Sequence, residues 1–403
     1  MLKRIIALAA ILSVCCLVAG ASDRVTANEK GSVLIFPKIE LRWMQIDSEY
    51  KLVQDTFIHL TNDFTDAVDV QLFFMLGDPP AAGEPGWMRM SNVITLQPDE
   101  PAFWSASTGN PKGVAPFTYL DPGSPPGRID PEGSGQRVLR GYMIAFAVNN
   151  AGEQIRWNHI VGTTSIVNYQ HGAVWEYAAY TFQALIGSNG AVVGTPGTIN
   201  LDGIQFSNGM HKLLLDFQTA GSQGLSCPEL CATVDTDLTL AMIDVDLRYG
   251  GAQPYTTKLE VQVWNEEGVE FSGPAPTFTL WKEVLLSELG GAFDKGCVGT
   301  DGAKARIDGV AFPQQSATAR AFVALATKVV TFQEAPPAYG MVGRVIRTTF
   351  AGRNTIGTGV EAAQIKFDVP DEPDESNVDG LIPVPLGGAR PVKLPFQEGV
   401  DIR

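Results

Sequence analysis

The side chains able to do acid–base work are few. The chain of 403 residues holds four histidines, His59, His159, His171 and His211. A Ser-His-acid relay would have to use one of them. His59 stands between Ile58 and Leu60 in an alternating stretch, and His211 opens another, so both read as strand residues facing water or a hydrogen-bond partner. His159 and His171 keep richer company in "RWNH" (156–159) and "NYQHGAVWEY" (168–177). Trp157, His159, His171, Trp175, Glu176 and Tyr177 together supply aromatic faces, an amide-rich surround and a carboxylate, which is what a sugar ring requires. The same residues could equally form a buried polar network that fixes one element onto a sheet, and this is the favoured reading because no spacing among them is diagnostic.

Other chemistry is thinly represented. H-E-x-x-H, G-x-S-x-G, the P-loop and the EF-hand loop are all missing, and no cofactor is expected. "SEYK" (48–51) matches S-x-x-K without its partner motifs. Asp235/Asp237 and Asp244/Asp246 are i, i+2 pairs, each on one face of a strand. They could join loop carbonyls around a calcium ion, but a solvated strand face that discourages aggregation is the preferred reading. No metal site is assigned.

The N-terminus sets the compartment. Lys3 and Arg4 precede an apolar run from Ile5 to Val18, followed by "AGA" ending at Ala21 and "VTA" ending at Ala27. This is the layout of a secretory signal peptide over 1–27, cleaved after Ala21 or Ala27 and too short for a good membrane span. No later stretch is apolar enough to span either. Cleavage after Ala21 leaves 27 basic and 44 acidic residues, a net charge of −17. Such a surface repels nucleic acid, so nucleic-acid partners are excluded and a protein or glycan partner is expected. The mature chain retains Cys227, Cys231 and Cys297. In an oxidising compartment Cys227–Cys231 is the expected disulfide, because it closes the shortest loop. A bridge from Cys297 to either of the other two is the alternative.

The elements that must position these residues are strands. "SVLIFPKIELRW" (32–43), "DTFIHLTN" (55–62), "AVDVQLFFML" (67–76), "DLTLAMIDVDLRY" (237–249) and "TKLEVQVWN" (257–265) alternate in polarity and are rich in β-branched and aromatic residues. Residues 136–169 read as a hairpin with "NNAGEQ" at its tip. Trp175, Ala179, Phe182 and Leu185 follow helical spacing, which predicts a short helix over 173–185, and 280–293 holds one further helical turn. With 42 Gly and 26 Pro marking turns, the fold class is mainly all-β: two tandem antiparallel β-sandwich, Ig-like domains with one or two short helices. The domains are placed at 28–195 and 203–369, separated by a Gly-rich junction, with 370–403 an acidic, Pro-containing linker and extended tail. "ELRW" and "DLRY" each precede a Thr-led strand about two hundred residues apart, so a duplicated domain is one source of the pattern.

The run 236–273, together with "GAKARIDG" (302–309), "GTGVEAAQIKFDVP" (357–370), "QDTFIHLTND" and "RGYMIAFAVNNAGEQIRWNHIVG", resembles exported bacterial β-rich, Ig-like proteins with no assigned activity. The resemblance implies a secreted β-rich protein and carries over no catalytic residues. The function expected is a secreted structural or interaction protein without catalysis, at the cell surface, in the periplasm or outside the cell. A carbohydrate- or small-ligand-binding protein is the alternative, and an exported hydrolase the next.

Overall fold

The computed structural model describes residues 30–79, 89–115, 127–130, 134–169, 173–225, 230–243, 256–312, 320–334, 348–349 and 362–364. The signal segment 1–27, the tail 370–403, His171, Cys227 and "DLRY" lie outside them.

The first half consists of β1 (Val33–Ile46), β2 (Glu49–Asn62), β3 (Val68–Leu76), β4 (Arg89–Leu96), β5 (Pro101–Ser105), β6 (Arg128–Ile129), β7 (Arg137–Val148), β8 (Ile160–Asn168), β9 (Ala173–Ala178) and β10 (Tyr180–Phe182). Pairing runs β4-β3-β7-β1-β2-β8-β9, with β10 on β1 and β5 on β2, and every strand pair is antiparallel. β1 belongs to two layers. Its first residues, Val33–Ile35, pair with β10, and its last, Arg42–Ile46, pair with β2. The chain therefore passes from a sheet β4-β3-β7-β1-β10 to a second sheet β5-β2-β8-β9. Leu34, Phe36, Ile58, Leu60, Leu72, Trp104, Ala145 and Ile166 meet between them in one core.

The second half supplies β11 (Lys212–Gln218), β12 (Ser222–Leu225), β13 (Leu230–Met242), β14 (Thr256–Asn265), β15 (Glu270–Ser272), β16 (Thr277–Thr279), β17 (Trp281–Leu285), β18 (Gly302–Val310) and β19 (Phe322–Glu334). One sheet is ordered β11-β18-β14-β15. Another contains β12-β13-β19, with β17 following β12 along the edge of β13 away from β19. Its helices are single turns, α1 (Leu286–Leu289) and α2 (Lys295–Val298). The mainly β, antiparallel architecture is as the alternation implies.

The halves do not pack separately. Val33, Ile35, Tyr142, Ile144, Phe146, Tyr180 and Phe182, on the other face of the first sheet, share one apolar cluster with Leu213, Leu238, Leu240, Val261, Trp281 and Phe322. Val193, Ile199 and Leu201, at the junction placed near 200, are buried in the same cluster. β1 and β7 are consequently covered on both faces and are buried almost without interruption. Trp281 Nε1 donates to Pro37 O at 2.8 Å, and Tyr180 Oη donates to Ala324 O at 2.6 Å. A Cβ added at Gly77 would lie 2.2 Å from the Trp281 ring, so a glycine there lets the ring rest on the backbone.

Three sequence expectations change. Residues 173–185 form β9 and β10 rather than a helix. Alternation of Val174 and Glu176 outward with Trp175 and Tyr177 inward satisfies β8, and tertiary pairing overrides the helical spacing. The 136–169 segment makes its turn, with Ile155 N donating to Ala147 O, but β7 and β8 do not pair. After the turn the chain crosses to the second sheet, where β8 joins β2. The internal echo is also only local. Thr56 lies beside Glu40, its Oγ1 accepting from Glu40 N at 2.9 Å and donating to Glu40 O at 2.8 Å. Thr257 Oγ1 instead donates to Val310 O at 3.2 Å, and its strand β14 is in a different sheet from β13, the strand leading toward "DLRY".

Candidate functional site

The aromatic–polar candidates divide according to strand parity. Trp175 and Tyr177 are 1% and 2% exposed and point into the core between the two sheets. The Tyr177 hydroxyl donates to Lys38 O, and burial pushes its ionisation far above the ordinary tyrosine value. Trp157 lies in the crossover before β8 rather than in an alternating strand. It is buried, and its Nε1 donates to Asn62 Oδ1 at 2.9 Å while its backbone N–H donates to Ser32 Oγ at 2.6 Å. Trp157 and Trp175 thus hold the sandwich together, consistent with the scaffold reading.

Glu176 and His159 face outward, on the exposed side of the β5-β2-β8-β9 sheet. The ladder fixes the rows of this face. Phe103, His59, Thr163 and Ala178 form one row. Ser105, Phe57, Ser165 and Glu176 form the next, and Asp55, Val167 and Val174 the row below. Phe57 and Phe103 stack at 5.6 Å with planes 9° apart, and the His59 ring lies 4.4 Å from Phe103. Ser165 Oγ donates to Glu176 Oε1 at 2.9 Å. Under the aromatics, Asp55 is 2% exposed and accepts from Ser105 Oγ at 2.6 Å, Ser107 Oγ at 2.7 Å, and the N–H groups of Thr56 and Ser107. This carboxylate ties β5 and its following turn to β2, and so fixes Phe103 beside Phe57.

At the upper end of the face His159 Nδ1 lies 3.3 Å from Asp63 Oδ1, with the Phe64 ring 4.4 Å from the imidazole and tilted 37° to it, and Lys30 paired to Asp63. Burial holds the pKa of both His59 and His159 below the ordinary histidine value. Glu176 opposes the shift at His59, and Lys30 reinforces it at His159. Both imidazoles are therefore neutral at pH 7. Ser165 is bonded to Glu176 and His159 to Asp63, so no Ser-His-acid relay is assembled among the described residues.

A second group, a buried charge network between the halves, carries no signature in residue spacing. Lys38, fully buried, reaches Glu40 at 3.4 Å, Asp237 at 3.2 Å, and Glu283. Arg140 bridges Glu283 at 3.3 Å and Asp78 at 3.0 Å, and Arg42 bridges Glu40 and Asp130. Burial raises the pKa of Asp78, with Arg140 opposing the shift. The expectation of a solvated Asp235/Asp237 face is corrected here. Asp237 is 2% exposed and paired to Lys38, and Asp235 accepts from Ser287 Oγ at 2.5 Å. The first half, through Lys38, covers Asp237, and Ser287 meets Asp235; only the fold could reveal that. Among the described residues no group of three or more His, Cys, Asp or Glu side chains is placed to hold a metal ion.

Cys297 carries an exposed free thiol in α2. Cys227 and the side chain of Cys231 fall outside the described residues, and with them the expected bridge. No described helix is long and apolar enough to cross a membrane. No protein-family model matches the chain, and no curated protein matches it.

Proposed function

We propose that the mature chain is an exported, non-catalytic interaction protein acting at the cell surface or outside it, and that it works through the outer face of the β5-β2-β8-β9 sheet. One observation carries this reading. β1 and β7, the centre of the first sheet, are covered on both sides, whereas the second sheet turns a row-by-row array of Phe57, Phe103, His59, Thr163, Ser165 and Glu176 away from the core. A sheet packed on a rigid layered body holds such side chains in fixed relative positions, as a recognition surface requires. The signal-like N-terminus and the net negative charge fit an exported partner-binding role and disfavour nucleic acid.

The test has two arms. Residues 28–403 carrying a photo-crosslinking residue at Thr163 are expected to form a discrete adduct with a component of the native cell surface or medium. The same residue placed at Ile204, exposed in the junction, is expected to form none. The protein is also incubated with chromogenic ester, glycoside and peptide substrates. Turnover that disappears in His59→Ala or His159→Ala would overturn the non-catalytic reading.

A further inference from the structure

We infer that the outer face of the β5-β2-β8-β9 sheet binds an uncharged, hydroxyl-rich ring ligand, a neutral saccharide, between the Phe57/Phe103/His59 aromatics and the Ser165–Glu176 pair. This rests on the proposal that this face is the interaction surface. Three features of the site select the ligand. The half-buried Phe57 and Phe103 rings, with the His59 imidazole against Phe103, offer apolar surface of the kind that packs on the C–H face of a pyranose. Directly across β8 lie polar groups of matching kind. Thr163 and Glu176 are exposed, and Ser165 holds Glu176 through one carboxylate oxygen while the other remains for a ligand hydroxyl. Charge makes the third selection. The outward positions of these rows contain no lysine or arginine among the described residues, His59 is neutral, and Glu176 is their one exposed acid. Within these rows a uronate, sulfate or sialate would meet Glu176 and no cation, Lys30 and Lys112 beside the face being paired to Asp63 and Glu100, whereas a neutral polyol meets hydrogen-bonding groups without a charge conflict.

The site is also built before a ligand arrives. Asp55 gathers four donors from β2 and the β5 turn, which fixes the aromatic pair, and the ladder fixes the distance from Phe57 to Ser165. A ligand would not need to order a loop first, which spares part of the entropic cost of binding.

The experiment presents residues 28–403 to an array of neutral hexose oligosaccharides, uronate-bearing and sulfated glycans, and immobilised quaternary amines. Binding to neutral saccharides alone is expected, and titration calorimetry follows with the best neutral oligosaccharide. Glu176→Gln and Phe103→Ala are each expected to weaken it by about tenfold or more. Thr163→Arg should abolish it by filling the face, and Ile204→Ser should leave it unchanged. Far-ultraviolet circular dichroism and Tm confirm that each variant is folded. If Phe103→Ala does not fold, Glu176→Gln and Thr163→Arg decide alone. Preference for acidic glycans or for amines overturns the inference, as does neutral-glycan binding that survives Thr163→Arg. An array with no neutral-saccharide signal, alongside a Thr163 crosslink to a protein, overturns the saccharide ligand and leaves the interaction surface standing. No array signal and no crosslink removes both.

Discussion

β1 and β2 are joined by a tight turn and follow the same alternating pattern, yet they meet different fates. β1 is buried on both faces over Val33–Trp43, whereas β2 alternates between core and half-exposed positions from Phe57 to Thr61. The charges of β1, Lys38, Glu40 and Arg42, sit on the face that meets the second half and are sealed in a network with Asp237, Glu283, Arg140 and Asp130. Corresponding positions of β2 carry Phe57 and His59 and meet no covering layer among the described residues. Charge inside and aromatics outside invert the usual expectation. Polarity alone does not assign a face; the neighbouring layer does. A buried ionic network contributes little net stability, because desolvation offsets much of the attraction, but it penalises any arrangement that leaves one charge without its partners. The network therefore specifies how the two halves meet.

That comparison can be broken first at the network. Lys38→Ala leaves Asp237 and Glu283 buried without their shared cation, and should cost about 3–5 kcal/mol in urea unfolding. A cost below about 1 kcal/mol would mean that water reaches this face. Trp175→Ala should cost a similar amount, about 3–5 kcal/mol, as a large truncation in the inter-sheet core. A Trp175→Ala protein of unchanged Tm would move this residue from scaffold to site. Thr56→Val removes both hydrogen bonds to Glu40 while keeping the shape, and should cost about 1–3 kcal/mol because the Glu40 backbone is buried there.

Smaller effects belong to the outer face. The folded-state pKa values of His59 and His159 lie below the unfolded value near 6.5, so the unfolded chain binds protons more readily. Their contribution to stability is complete above that value. It declines as pH falls from about 6.5 through the lower folded pKa. Denaturation midpoints measured between pH 7.5 and 5.5 should fall, and the slope should diminish in His59→Gln. A slope that is unchanged in both His59→Gln and His159→Gln would assign the pH dependence elsewhere. The smallest change is expected for Thr163→Ala, exposed in the middle of the face. It should stay within about 0.5 kcal/mol of the parent protein in stability, which makes it a clean probe of binding.

Much of the strand content was legible in the chain itself. Alternation in 55–62, 67–76 and 257–265 marks β2, β3 and β14, because a half-buried strand must repeat every two residues. The one-turn helix near 280–293 was legible as well. β9 was not, since Trp175, Ala179 and Phe182 fit a helical period as well as an inward-facing strand that continues into β10. Of the binding candidates, the sequence supplied His159 and Glu176 on the outer face and Trp157, Trp175 and Tyr177 in the core, without sorting one group from the other. Phe57 and Phe103 are 46 positions apart and carry no motif; only the β2–β5 register brings their rings together.

By itself, then, the sequence determined the class of element, many of the turns and the acidic balance, because each depends on local composition and period. The tertiary structure alone decided which face of each strand is covered. That choice turned Lys38 and Asp237 into a buried pair, joined two apparent domains through a shared core, and left Phe57, His59 and Glu176 facing outward. Burial is a property of what packs against a residue, and for these strands the packing partner lies more than a hundred residues away in the chain.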